Sequence, residues 1–515
     1  MAGKGGARAG AGRKPKAPTK VVRLESRLAD RLLELLKALT VDEVLDALDS
    51  LDGETLPPSE PILIEDEINV SPIELNLLNP GQRDAIAALI AWWEGRDKLA
   101  SLSGAAGTGK TFLLGYLLHE ISLESVAFLA PTHKAKKVLK NSLAQFGLER
   151  NVFTVAQSLG KQPIILDTGL QDFATKGHAF IGHYDLVICD EASMVKKDDY
   201  QEIFDNAERV LWLGDRNQLP PINEVESMAF SDSRIRVKPE LSQVMRYTGH
   251  ILNECEKLRE GVNTGQIHSL VPDGETIKRL SKFEWLRLAS EIFKSDSFDK
   301  DTSFCRVLAY RNAIVDALNR QLKQLIYGHQ KPFFPGQKLM ANSPVSRLEI
   351  EDKKKVVQIK ATNSEEMIVI SEPIKRAINE RDLELAPRLC QSHLTGEILS
   401  FQCECESGNK FDAIILLQSA LFASQKLRTM IGESAINPKE KKANYQFLNS
   451  WGDNLKDIFA ITIHKAQGST YNHLFLDMAD ILKPSIKREP GAVDDRPKLL
   501  YTAVSRASER IYLIH

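Results

Sequence analysis

The segment "LASLSGAAGTGKTFLLGYLLHE", Leu99 to Glu120, constrains the fold more than any other stretch of the chain. It reads as a short apolar strand, a glycine-rich turn and a helix, in that order. Gly104, Gly107 and Gly109 permit backbone conformations that aim successive N–H groups inward at anionic oxygens. Lys110 adds a point charge near the outer phosphates of a nucleotide, and Thr111 offers a hydroxyl to Mg²⁺. The loop Gly104, Ala105, Ala106, Gly107, Thr108 and Gly109 is therefore a candidate phosphate cradle on an α/β sheet. Such a loop binds a nucleotide without saying what is done with it.

A second element narrows the chemistry. In "YDLVICDEASM" the run Leu186 to Cys189 is continuously apolar, as a strand buried on both faces must be, and Asp190 and Glu191 emerge at its carboxyl end. Asp190 is expected to hold the Mg²⁺ shell, and Glu191 to orient and deprotonate an attacking water. The bland reading, two solvated surface carboxylates, fits poorly after four buried residues. Hydrolysis rather than binding alone is the expectation. Two further strand ends carry polar clusters: "AFLAPTHKAKKVL" with Pro131, Thr132, His133 and Lys134, and "ERVLWLGDRNQLPPI" with Gly214, Asp215 and Gln218. Near the C-terminus, "IFAITIHKAQGSTYNHLFLD" and "LLYTAVSRASERIYLIH" are again flanked by strands.

Taken in order, these stretches resemble the motifs of superfamily 1 helicases, specifically the RecD-like and Dda-like 5′→3′ DNA helicases of superfamily 1B. "GAAGTGKT" matches motif I, "APTHKA" motif Ia, "CDEASM" motif II, "GDRNQLPP" motif III, "TIHKAQGST" motif V and "YTAVSRA" motif VI. The resemblance covers most of residues 76 to 515. It implies two RecA-like P-loop NTPase domains, 76–238 and 239–333 with 452–515, with ATP and Mg²⁺ between them. Gln82 falls where the family reads adenine. Arg246 in "LSQVMRY" and Arg506 would be arginine fingers on the γ-phosphoryl group, while Gln218 and the Gln467–Gly468 segment would sense the γ-phosphate.

The same resemblance implies a track of single-stranded DNA. Contacts would come from Pro131, Thr132 and His133, from Thr154 and Gln157 in "FTVAQSL", and from Thr462 and His464, groups suited to phosphates rather than to base readout. Residues 154–184 form an insert whose two short apolar runs around "LDTGLQDF" read as a hairpin. The family places a duplex-splitting pin there, with Phe173 the candidate stacking residue; an ordinary hairpin-core Phe is the alternative. Residues 334–451 match no motif, and the runs "KVVQIK", "EMIVIS", "GEILSFQCECE" and "FDAIILL" read as strands. They resemble the family's SH3-like β-barrel insertion, although its Asn-Gly-Asp turn is replaced here by "TNSEEM".

Composition frames this reading. A chain of 515 residues, 43% hydrophobic and 26% charged, supports two or three cored domains. Its net charge of −2 leaves only a narrow groove for DNA, not a general cationic coat. The exception is residues 1–23, with seven Lys and Arg and no acid in a Gly/Ala/Pro background, which reads as a disordered basic arm. Residues 24–45 read as a strand-helix leader resembling a ribbon-helix-helix or AT-hook-like element, or else a docking helix behind a solvated tail; 46–75 is an acidic linker. Six scattered cysteines predict reduced thiols. Cys403 and Cys405 alternate as on one face of a strand, and zinc held with Cys390 and His393 is the competing reading. No apolar segment suits a signal peptide or a membrane span, so a cytoplasmic location is expected. The expected function is an ATP-dependent DNA helicase, a monomeric motor acting on single strands and duplex junctions in replication, repair or recombination, with a single-strand-binding protein or a replication or recombination protein as candidate partner. The alternatives are an ATP-gated DNA-binding or remodelling protein and an RNA helicase.

Overall fold

The computed structural model describes residues 78–121, 123, 125–148, 151–165, 171–175, 179–244, 249–328, 331–351, 354–483 and 494–514. The expected arm, leader and acidic linker lie outside these residues.

Eight strands form between residues 99 and 241: β1 (Leu99–Gly104), β2 (Val126–Ala130), β3 (Val152–Thr154), β4 (Lys161–Ile165), β5 (Gln171–Thr175), β6 (Leu186–Cys189), β7 (Val210–Gly214) and β8 (Glu240–Leu241). Six of them make a parallel sheet in the order β3-β2-β6-β7-β1-β8. Their apolar runs are continuous because both faces are covered. Leu186, Ile188, Leu211 and Leu213 pack with the helices Pro80–Glu94, Lys110–Glu120 and His133–Gln145. Their neighbours Val187, Cys189, Val210 and Trp212 point the other way, toward Tyr200 and Ile203 of helix Lys197–Asn206. This first lobe takes in Glu240–Leu241, two strand residues past the expected limit at 238.

Strands β4 and β5 stand apart as an antiparallel hairpin with Pro163 opposite Phe173; its turn, 166–170, lies outside the described residues. The hairpin is tied at its base, where Lys161 Nζ sits 2.5 Å from Asp199 Oδ1 and 2.9 Å from Glu202 Oε2.

The second lobe begins with β9 (Ile277–Leu280) and β10 (Cys305–Ala309). The chain then departs through β11 (Lys338–Ala341), β12 (Val345–Glu351), β13 (Lys354–Ala361), β14 (Glu366–Val369), β15 (Ile374–Ala377), β16 (Glu397–Cys405), β17 (Lys410–Leu416) and β18 (Leu455–Asp457). It returns as β19 (Ala460–Thr462), β20 (Tyr471–Asp477) and β21 (Ala507–Ile514). A parallel sheet in the order β19-β10-β20-β21-β9 is packed by Trp285 and Ala289, Leu318 and Leu322, and Leu499 and Leu500 from three helices.

The intervening strands are antiparallel instead, in the order β15-β16-β14-β11-β18 with β17 on β16, while β12 and β13 pair only with each other. Because β18 runs directly into β19, this sheet claims residues 455–457 beyond the expected boundary at 451. Two helices, Gln418–Glu433 and Pro438–Ser450, accompany it where only strands were anticipated. In the "TNSEEM" turn Ser364 adopts φ 64°, a left-handed conformation that costs a non-glycine residue about 1 kcal/mol or more. Glu365 Oε2 offsets this by accepting from the Thr362 amide at 2.8 Å and hydroxyl at 3.0 Å.

Cys403 and Cys405 are both buried on β16, as their alternation predicts, and all six cysteines are free thiols. Among the described residues no group of three His, Cys, Asp or Glu side chains is arranged to hold a metal. None of the described helices is long and apolar enough to cross a membrane.

Candidate active site between the lobes

The glycine-rich loop leaves β1 and enters helix Lys110–Glu120. Gly107 and Gly109 take φ of 83° and 84°, which only glycine adopts without strain. A Cβ on Gly104 would lie 2.6 Å from Thr108 Oγ1, and that hydroxyl donates to the Ala105 carbonyl at 2.9 Å. The loop is therefore closed on itself, with Ala105 and Ala106 at its bend. Lys110 Nζ donates to the Gly104 and Ala105 carbonyls at 2.7 and 3.0 Å, so its charge is held over the loop. Thr111 follows in the first helical turn, partly exposed.

Gln82 reaches this loop from another helix. Asn79 and Gln82 form a reciprocal capping box at the start of helix Pro80–Glu94. Gln82 Nε2 donates to the Thr108 carbonyl at 3.1 Å, and a Cβ on Gly109 would meet that nitrogen at 2.7 Å. The structure thus brings Gln82 to the loop with both ends of its amide engaged. Each end keeps a second valence, one N–H on Nε2 and one lone pair on Oε1.

Asp190 and Glu191 follow β6, next to the loop. Glu191 adopts φ 50°, an uncommon conformation for a residue with a Cβ, and its N–H donates to Asp190 Oδ1 at 2.8 Å. Burial, and then the charge of Glu191, push the Asp190 carboxyl up to about 6, while Lys110 pulls the other way. Two crowded carboxylates beside a hydroxyl and a phosphate cradle are a donor set that fits a hard divalent cation with oxygen ligands.

The end of β7 abuts this acidic turn: a Cβ on Gly214 would come 3.1 Å from the Ala192 nitrogen. Beyond it, the Asp215–Leu219 loop touches the second lobe. Asp215 Oδ2 accepts from Tyr501 Oη at 2.6 Å, the Leu219 N–H donates to Thr502 Oγ1 at 3.1 Å, and Gln467 Nε2 donates to the Leu219 carbonyl at 3.0 Å. Gly468, at φ 73°, brings its backbone opposite Glu191; a Cβ there would lie 3.9 Å from Glu191 Oε1. Tyr501 and Thr502 carried no signal in the sequence beyond membership of a motif, because their role depends on a contact with another lobe.

Arg506 is buried and bonded within its own lobe. Its guanidinium donates to the Thr502 carbonyl at 3.2 Å, the Ser469 carbonyl at 3.3 Å and Ser505 Oγ at 3.0 Å. It lies beside the Gln467–Ser469 segment. Arg246 lies outside the described residues.

The candidate DNA contacts share one local design. Thr132, Thr154 and Thr462 each cap a helix that follows a parallel strand, accepting from the amides of Ala135 at 3.1 Å, Gln157 at 3.2 Å and Lys465 at 3.4 Å. Thr154 and Gln157 form a full capping box, so their side chains support the helix start first. Pro131 and His133 flank Thr132, with His133 exposed. His464 lies 6.1 Å from the Tyr310 ring, and its burial lowers its pKa below the ordinary imidazole value. Lys136, not singled out in the sequence, donates to Gln157 Oε1 at 3.2 Å and adds a cation between two of these strand ends. Phe173 sits on the hairpin, on a separate sheet from these groups.

Comparison with known proteins adds independent findings. Residues 77–288 match the model of an AAA domain family, and residues 457–514 match that of the UvrD-like helicase C-terminal domain. An uncharacterised protein of Acanthamoeba polyphaga mimivirus is 26% identical over 484 residues, spanning 80% of this chain and 94% of its own. The ATP-dependent DNA helicase Dda of Enterobacteria phage T4 is 23% identical over 453 residues, spanning 85% of this chain and 99% of its own. Among solved structures, the Pif1 helicase of Candida albicans aligns at 17% identity and a TM-score of 0.43, over 85% of this chain and 94% of that one.

Proposed function

We propose that the chain is a Dda-like helicase of superfamily 1B, and that it hydrolyses ATP between its two lobes to move 5′→3′ along single-stranded DNA and separate duplex ahead of it. One observation carries this reading. The hydrolytic apparatus of the first lobe and the two C-terminal motifs of the second meet at a hydrogen-bonded seam, so a change at the nucleotide is also a change in how the lobes sit together.

Each residue then has a task. The backbone of Gly104–Gly109 and the Lys110 ammonium bind the phosphates, while Thr111 and Asp190 would hold Mg²⁺, which supplies charge neutralisation on the phosphate oxygens. Glu191 takes the proton of the attacking water. Gln82 reads the base from the loop's edge, and Arg506, with Arg246, meets charge developing on the transferred group once closure of the lobes redirects them. The strand ends at Pro131, Thr132, His133, Thr154, Gln157, Thr462 and His464 line the track, and the β4–β5 hairpin with Phe173 divides the strands. The action on nucleic acid fits a cytoplasmic or nuclear setting.

Duplexes with a 5′ or a 3′ single-stranded tail test this directly. ATP-dependent strand separation of the 5′-tailed substrate alone is the expected result. Separation of the 3′-tailed substrate alone would overturn the polarity, and separation of neither would overturn the helicase.

A further inference from the structure

We propose that Tyr501, Thr502 and Gln467 are positioning residues: they clasp the Asp215–Leu219 loop from the second lobe and thereby set the Gln218 amide for hydrolysis. The inference deepens the function above and rests on it. Asp215 is 1% exposed, and a carboxylate so deep requires donors. It receives the Asn217 N–H at 3.0 Å and the Tyr501 hydroxyl at 2.6 Å. A carboxylate only accepts, so the atom that Gln218 turns toward it, at 3.5 Å, is its amide nitrogen. Among the described residues, that leaves Gln218 Oε1 as a buried oxygen with no hydrogen-bond partner.

A free oxygen acceptor suits an O–H donor. It fits a water molecule awaiting attack, while the second N–H of the amide remains able to donate to a phosphate oxygen. Gln218 can therefore orient water in addition to the phosphate sensing that the resemblance implies. Its loop is grasped on both flanks: Asp215 by Tyr501 on one side, and both the N–H and the carbonyl of Leu219 by Thr502 and Gln467 on the other. All three donors and acceptors come from the second lobe. When the lobes part, the three bonds are lost together and the amide is released, which ties water positioning to lobe closure.

The test is a double-mutant cycle on steady-state ATP hydrolysis with saturating single-stranded oligonucleotide. Tyr501→Phe should lower kcat about 10-fold, the effect of one hydrogen bond to a charged group, with little change in KM. In a Gln218→Ala background the same substitution should cost no more than about twofold further, because the two groups act as a unit. Thr502→Val should behave like Tyr501→Phe, and Thr502→Ser should retain activity. Binding of a fluorescent ATP analogue verifies that each variant keeps its nucleotide site. Fully multiplicative losses, or a rise in KM at constant kcat, would overturn the inference while leaving the hydrolytic function standing. Absence of hydrolysis by the unsubstituted chain would overturn both.

Discussion

In the proposed mechanism Lys110 and Glu191 act on opposite sides of the same bond-breaking event, and their substitution should separate binding from chemistry. Lys110 is held over the loop by two carbonyls, so Lys110→Ala removes the charge without unseating the backbone. Hydrolysis should fall by about 10²-fold or more in a steady-state assay while DNA binding persists; retained turnover would contradict the phosphate cradle. Glu191→Gln preserves shape but cannot accept a proton. A loss of about 10² to 10⁴ in kcat with ATP still bound is expected, and normal turnover would remove Glu191 as the base. Their placement was legible because each signal is local: a glycine pattern after one strand and a carboxylate pair at the end of another. Gln218 was legible as a polar residue at a strand end, but the direction of its amide was not. That direction depends on Asp215, and the hold on Asp215 depends on Tyr501, 286 residues away in sequence.

At the scale of elements, the parallel strands announced themselves through uninterrupted apolar runs, since helices cover both faces of each sheet. The insertion was harder to read. Its strands alternate, but helices Gln418–Glu433 and Pro438–Ser450 are mostly polar and bury only narrow stripes such as Ala420, Leu427 and Ile431. Arg306 is the sharpest departure from pattern, a fully buried guanidinium within β10 whose Nη2 donates to Glu366 Oε1 on β14 at 2.8 Å. Lys134 of the first lobe approaches the same oxygen at 3.8 Å. Burial alone would raise the Glu366 carboxyl, but Arg306 and then Lys134 hold it below the ordinary value of 4.5. A depressed folded-state value means that the stabilisation is complete above 4.5 and is lost as pH falls through the lower value. Glu366→Gln should therefore cost about 3 kcal/mol at pH 7, measured by urea denaturation, and the gap from the unsubstituted chain should close on acidification below that point. A gap independent of pH would deny the ion pair its role. On the hairpin, Phe173→Ala should reduce unwinding far more than DNA-stimulated hydrolysis; equal losses would make Phe173 a packing residue. The hairpin was visible from its turn residues, whereas its anchorage through Lys161 to Asp199 and Glu202 was not, because those acids lie on a helix 38 and 41 positions further along the chain.

For the whole molecule, the two parallel sheets, the seam and the strand ends form one mechanical proposition. In this account nucleotide chemistry occurs where the first lobe's loops face the second lobe's last two motifs, and the threonines proposed to hold DNA cap helices in both lobes. Motion of one lobe against the other must therefore alter the seam and the track together. The near-neutral net charge of −2 is consistent with a narrow track of caps and a few cations such as Lys136. The most direct measurement is the rate of ATP hydrolysis by the purified full-length chain as single-stranded oligonucleotide is added. A rate that rises steeply and saturates, and that falls back as salt weakens DNA binding, is the expected result. A rate indifferent to the oligonucleotide would contradict the coupling of the seam to the track.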